Sequence, residues 1–200
     1  MSWVTDSPLK FHYWKVAARA QTPMLMLHAA NIDYTWEEPP EDWKSVKKNY
    51  PFGQLPCLEH HNKIVAQSGT MARYCAHLST LMPEEIFKQL DADMLMEFSN
   101  DIFNLFAKAK YAGDDLAQQV GWQRVKSKQL PEKLDYLVKF LGDKPFFSGD
   151  EVHAGDVAIF SVLNLAIEAG VDWTKDYPTI KAHYDRVQNV GSINKYLENK

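Results

Sequence analysis

Apolar positions recur with two different periods along the chain, and the change falls near residue 80. Before it, short apolar runs alternate with helical patterns. Leu9 to Trp14 alternates and predicts a strand, Arg19 to Ala30 carries Leu25, Met26, Ala29 and Ala30 at helical spacing, and Ile32 to Trp36 predicts a second strand. Pro23 suits only the first turn of that helix. Strand, helix, strand implies a parallel pair joined by a crossover. Asp42 to Lys47 gives one polar helical turn, and Tyr50-Pro51-Phe52-Gly53-Gln54-Leu55-Pro56 a shaped loop. Cys57–His60 and Lys63–Ala66 flank His61-Asn62 as a hairpin with a two-residue turn, and Gln67 to Leu78 predicts a helix.

After Pro83 the strand signals vanish. Ile86, Leu90, Met94, Phe98 and Ile102 recur every four residues, so one long helix is expected from Pro83 to about Tyr111. A second helical run covers Asp115 to Leu141, with Pro131 expected to kink or divide it. Asp156 to Ala169 is apolar on nearly every side, which predicts a central buried helix, and Pro178 opens another that runs to Val190. No further apolar helix is expected after it. The pattern describes an α+β chain of two domains, residues 1–80 with a sheet and residues 81–200 all-helical.

Composition narrows the chemistry. Over 200 residues, 46% hydrophobic and 24% charged positions suit a globular chain, and a net charge of −4 offers no basic footprint for nucleic acid. The first 80 residues hold eight Lys and Arg against seven Asp and Glu, while the remainder is acidic, which makes the first domain the better host for an anionic ligand. The start, MSWVTDSPLK, has neither the basic nor the apolar region of a secretion signal. The most apolar stretch, Val157 to Ala169, is interrupted by Ser161, Asn164 and Glu168 and is too short to span a bilayer. Two cysteines, Cys57 and Cys75, form no disulfide framework or metal spacing, and His60-His61 lacks an acid or cysteine partner. A soluble cytoplasmic protein is expected, with no metal, no nucleic-acid partner and no membrane partner.

Four features of the first domain bear on chemistry. Leu55-Pro56 precedes a strand, where a cis peptide would turn the Leu55 backbone outward to pair with a peptide-like ligand. Gln67-Ser68 opens a helix whose first amides suit a carboxylate. Trp43 and Lys47, one helical turn apart, offer an indole N–H and an ammonium to a second carboxylate. Tyr13 ends the first strand, where a phenol can donate to an incoming anion. Taken singly, each has a plainer explanation: a trans proline, an ordinary helix cap, a solvated surface pair and a half-buried core tyrosine.

Their order and spacing together closely resemble the cytosolic glutathione transferases. The resemblance runs through Tyr13-Trp14, Arg19-Ala20, Trp43, Lys47, Pro51-Phe52-Gly53-Gln54-Leu55-Pro56, Gln67-Ser68 and Ala72-Arg73-Tyr74. It extends to Asp101 in the first long helix and to Gly149-Asp150 with Ala154-Gly155-Asp156. The chain looks most like the sigma class, that of the haematopoietic prostaglandin D synthases and the cephalopod S-crystallins. The resemblance implies an amino-terminal thioredoxin-like βαβαββα domain and an all-α second domain. It implies a homodimeric enzyme that needs no cofactor, takes glutathione as substrate and joins its thiolate to hydrophobic electrophiles. Glutathione-dependent isomerisation and a non-catalytic ligandin- or crystallin-like role are the alternatives.

By the same resemblance, Tyr13 hydrogen-bonds the glutathione sulfur and Leu55 pairs its backbone with the cysteinyl part, its bond to Pro56 being cis. Gly53 and Gln54 belong to that binding loop. Gln67 and Ser68 hold the γ-glutamyl carboxylate, Asp101 of the partner subunit approaches the γ-glutamyl amine, and Trp43, Lys47 and Arg19 serve the glycyl end and the electrostatics. Tyr13 occupies the position after the strand that a thioltransferase gives to its cysteine. Two departures stand out. Ala17-Ala18-Arg19-Ala20-Gln21 replaces the frequent Arg-Gly-Arg-Ala-Glu, removing one positive charge near the sulfur, and His153 stands where a helix-capping Ser or Thr is usual.

Overall fold

The computed structural model describes residues 7–199; most of the amino-terminal stretch read for a secretion signal lies outside them. The chain divides into two compact units, one reaching to Met82 and joined by the residues from Val190 onward, the other running from Pro83 to Asn189.

In the first unit, β1 (Leu9–His12) is followed by a 3-10 turn (Ala18–Ala20), α1 (Gln21–Ala29) and β2 (Tyr34–Glu37). Then come α2 (Trp43–Val46), a 3-10 turn (Lys47–Asn49), β3 (Cys57–His60), β4 (Lys63–Ala66) and α3 (Ser68–Leu78). The sheet order is β2-β1-β3-β4. β1 and β2 are parallel, with Leu9 opposite Tyr34 and Phe11 opposite Trp36, while β3 is antiparallel to both β1 and β4. This is the thioredoxin-like arrangement. His61 and Asn62 both adopt positive φ, 49° and 59°, the backbone that a two-residue hairpin turn requires. Leu9, Phe11, Leu25, Leu58, Met71 and Cys75 are fully buried or nearly so, because alternate strand positions and the facing stripes of α1 and α3 close on one core.

The second unit holds α4 (Ile86–Lys110), α5 (Asp115–Arg124), α6 (Leu130–Leu141), α7 (Ala154–Glu168) and α8 (Pro178–Gln188). The break expected near Pro131 is present as a π-helical turn over Val125–Gln129 that leads into α6. Proline lacks the N–H that would continue the ladder, and the wider turn absorbs the loss. α7 is the central helix, with twelve of its residues buried. It packs on α4 so closely at Gly155 that a Cβ there would stand 2.7 Å from Leu95 Cδ1. The four-residue stripe that marks α4 in the sequence is not its buried face throughout: Ile86, Leu90 and Met94 are exposed, whereas Ala92, Leu95, Met96, Ser99, Ile102 and Phe106 are buried.

Asp156 is the hub of this unit. Its Oδ1 accepts from Phe147 N–H and from His183 Nε2–H, both at 2.8 Å, and its Oδ2 accepts from His153 N–H at 2.9 Å. His153 Nδ1 is buried without a hydrogen-bond partner, so the histidine does not reproduce the side-chain half of a Ser or Thr cap.

α9 (Ile193–Glu198) has no counterpart in the sequence pattern. The residues from Val190 pack with the first unit, not with the helical domain assigned to 81–200. Ser192 N–H donates to the His28 carbonyl at 2.9 Å and Ile193 is fully buried. Gly191, at φ +53°, lies so near the end of α1 that a Cβ would collide with the carbonyls of His28 and Ala29.

Candidate functional site

Tyr13 follows β1 and extends the sheet by one bond, its N–H donating to the Glu37 carbonyl at 3.1 Å. Its ring lies edge-on to Trp14, centroids 5.6 Å apart, and tilted against Trp36 at 6.3 Å, leaving the residue 8% exposed. Trp14 in turn stands edge-on to Trp43 at 5.8 Å, and Trp43 meets Tyr50 at 5.3 Å. An unbroken aromatic chain therefore joins the strand that carries Tyr13 to the helical turn that carries Trp43.

Trp43 is half-buried at the start of α2, and Lys47 and Arg19 are exposed. The next loop turns at Gly53, whose φ of +58° glycine adopts without strain and whose N–H donates to the Tyr50 carbonyl at 3.1 Å. Gln54 is exposed, Leu55 half-buried and Pro56 buried, and the Leu55–Pro56 peptide is cis. Gln67 precedes α3 with φ +69° and ψ 115°, and its side chain makes no capping bond to the helix. A non-glycine residue held there costs about 1–3 kcal/mol of backbone strain, a cost met most often at ligand clamps. Ser68 begins α3 and is half-buried. Ala18, at φ +33°, is a second strained residue.

Neither thiol of the chain is a ready nucleophile. Burial pushes Cys57 up to about 11, and it pushes the wholly buried Cys75 higher still. Cys57 Sγ–H points to the Gln54 carbonyl at 3.3 Å. The His60-His61 pair is structural: Tyr74 O–H donates to His60 Nδ1 at 2.6 Å, and His60 Nε2–H donates to the Ser7 carbonyl at 3.1 Å. Among the described residues no group of three or more His, Cys, Asp and Glu is arranged to hold a metal, and no helix is long and apolar enough to cross a membrane.

Asp101 belongs to the second unit. It is exposed on α4, and its carboxylate lies 3.9 Å from Lys133 Nζ. Phe106, also on α4, is core and stacked on Trp122 at 5.8 Å, while Tyr111 at the end of that helix is 83% exposed.

Residues 9–77 match the family model for the glutathione S-transferase amino-terminal domain, and residues 100–200 match that for the glutathione S-transferase carboxy-terminal domain. The chain belongs to the glutathione S-transferase family. Haematopoietic prostaglandin D synthase of Gallus gallus is 28% identical over 192 residues, covering 96% of each chain. A glutathione S-transferase of Dirofilaria immitis is 26% identical over 94% of this chain and 90% of its own. The solved Pi-class glutathione S-transferase of Onchocerca volvulus superposes with a TM-score of 0.86 at 23% identity, covering 100% of this chain and 93% of that one.

Sequence inspection missed two parts of this candidate site. Tyr50 and His12 carry no motif, yet they tie the Trp43 turn to β1. Trp36 is a neighbour of Tyr13 only because β1 and β2 are parallel and in register.

Proposed function

We propose that the protein binds glutathione in its amino-terminal unit and transfers the glutathione thiolate to hydrophobic electrophiles. The observation that carries this reading is the aromatic chain from Tyr13 through Trp14 to Trp43, in a unit that matches the transferase amino-terminal family. Glutathione is a small peptide with two carboxylates and one ammonium. Trp43, Lys47 and Arg19 supply an indole N–H and two positive charges for the glycyl carboxylate. The strained Gln67-Ser68 corner and the first amides of α3 suit the γ-glutamyl carboxylate. Gly53, Gln54, Leu55 and Pro56 form the loop that meets the cysteinyl backbone.

Tyr13 is the catalytic residue of this account. Trp14 and Trp36 hold its ring, so the position of its phenol oxygen is set before the ligand arrives. A phenol donating to the glutathione sulfur favours the thiolate, which is the nucleophile. With the thiol proton released to solvent, the electron pair on sulfur forms the carbon–sulfur bond, and the electrophile's leaving group departs with its bonding pair or, in an addition, the π pair shifts to the neighbouring atom, which takes up a proton. No cofactor is needed.

The enzyme acts as a homodimer in the cytoplasm. Phe52, 65% exposed, and the α4 face of Ile86, Phe87, Leu90 and Met94 are apolar surfaces that a second copy would cover, and Asp101 of the partner subunit would then approach the γ-glutamyl amine. The test is retention on immobilised glutathione together with conjugation of a chlorinated dinitrobenzene. Retention and turnover support the transferase, retention without turnover identifies a carrier, and failure of both removes the glutathione site. The likeness to a prostaglandin D synthase favours isomerisation as a second reading, separated by supplying a cyclic endoperoxide and analysing the product.

A further inference from the structure

His12 sits on β1 beside Tyr13, 6% exposed, and makes two side-chain hydrogen bonds that one neutral tautomer satisfies. Its Nε2–H donates to Glu59 Oε2 at 3.0 Å on β3, and its Nδ1 accepts from Tyr50 O–H at 3.4 Å. Lys10 braces the same carboxylate at 3.7 Å while also holding Glu37 at 3.2 Å. The bond from His12, with the charge of Lys10, keeps the Glu59 carboxyl below the usual carboxylate range, so it remains an acceptor that fixes the proton on Nε2. Burial raises the Tyr50 phenol, which stays protonated and able to donate. Tyr50 also packs its ring on His12 at 5.6 Å and on Trp43 at 5.3 Å. It lies after the Lys47–Asn49 turn and before the Gly53 bend.

We propose that His12 is a positioning residue for glutathione binding: through Tyr50 it ties the Trp43–Asn49 segment to the end of the strand that carries Tyr13. The proposal rests on the glutathione site described above. It assigns the tether to affinity for glutathione and not to the chemical step, since neither His12 nor Tyr50 is among the groups assigned to the sulfur.

The test compares wild type with His12→Leu, His12→Gln, Tyr50→Phe and the double variant His12→Leu/Tyr50→Phe. Glutathione KM and kcat are measured at saturating chlorinated dinitrobenzene, and amide hydrogen exchange is followed at Tyr50 and Gly53. His12→Leu and Tyr50→Phe should each raise the glutathione KM about fivefold, the effect of losing one neutral hydrogen bond, with kcat within about twofold. The double variant should be no worse than His12→Leu alone, because Tyr50→Phe removes only a bond that His12→Leu has already removed. His12→Gln retains one donor and one acceptor and should return KM to near the wild-type value. Exchange at Tyr50 and Gly53 should quicken in His12→Leu and Tyr50→Phe. An unchanged KM in both single variants, additive losses in the double variant, or a glutamine variant as impaired as the leucine one overturns the proposal. If wild type neither binds nor uses glutathione, the glutathione site falls, and the exchange measurement still decides the tether: unchanged exchange refutes it.

Discussion

Trp14 stands edge-on to Trp43, ring centroids 5.8 Å apart at an interplanar angle of 73°. One residue follows β1 and the other opens α2, so this contact fixes the distance between the proposed sulfur end and glycyl end of the ligand. Trp14→Ala removes the middle member of the aromatic chain. An aromatic pair contributes about 0.5–1.5 kcal/mol beyond its area, and glutathione affinity should fall about three- to tenfold. Calorimetric titration of wild type and variant checks this; equal affinities would show that Trp43 holds its place without Trp14.

Two strained residues should respond to glycine alike in stability and differently in glutathione affinity. Ala18 has φ +33° and Gln67 φ +69°. Glycine adopts such angles freely but enlarges the entropy of the unfolded chain, so each substitution should leave stability unchanged or raise it by up to about 1 kcal/mol. Ala18→Gly should keep glutathione affinity, because a methyl group is all it removes. Gln67→Gly should lose at least about tenfold, because it removes a group proposed to hold a carboxylate. Urea unfolding paired with glutathione titration separates the two. A Gln67→Gly variant that keeps or gains stability and also keeps affinity would make the strain at Gln67 purely structural, and one that loses stability would show that the positive φ costs the fold nothing.

Asp156 is fully buried and accepts three hydrogen bonds, from Phe147, His153 and His183. Asp156→Ala leaves those three donors unpaired and should cost about 3–5 kcal/mol. Gly155→Val places side-chain atoms against Leu95 and Ala92 and should cost about 1–3 kcal/mol. Denaturant midpoints of both variants test the hub; a cost below about 1 kcal/mol for Asp156→Ala would contradict it.

Much of this architecture is legible in the residues, and the exceptions have physical reasons. The alternation at Leu9 to His12, the His61-Asn62 turn and the all-apolar run of α7 are local patterns, and they become the expected elements. α9 escapes because Ile193 is its one buried residue, so no periodicity marks it; its docking depends on Gly191 and Ser192 meeting the end of α1. The apolar stripe of α4 identifies a helix but not its buried side, because Ile86, Leu90 and Met94 face outward and smaller residues such as Ala92 and Ser99 face in. Within the site, motif spacing marks Tyr13, Trp43 and Gln67, whereas the tie from His12 to Tyr50 exists only after the loop has folded back on β1.

The α9 docking gives a pH signature. His28 Nδ1–H donates to Ser192 Oγ at 2.9 Å, and Tyr34 O–H donates to His28 Nε2 at 3.1 Å. Burial lowers the imidazole below its ordinary value against the opposing charge of Asp33, and burial alone raises Tyr34 to about 12. Below about pH 6.5 the unfolded chain therefore binds a proton more readily than the folded one, and stability falls as pH drops through that window. Thermal midpoints between pH 7 and pH 5 should fall more steeply for wild type than for His28→Gln. Parallel slopes would show that the neutral imidazole contributes nothing to this docking.

The phenol of Tyr13 is the centre of the account, and ultraviolet titration of the thiol of bound glutathione tests it most directly. Bound to wild type, the thiol should ionise at least one pH unit below its value near 8.5 in water, about 1.4 kcal/mol in favour of the thiolate. Tyr13→Phe should abolish that shift and lower turnover at neutral pH about tenfold while still retaining glutathione. A bound thiol that titrates as it does in water, or a shift that survives in Tyr13→Phe, would contradict the proposed role of Tyr13.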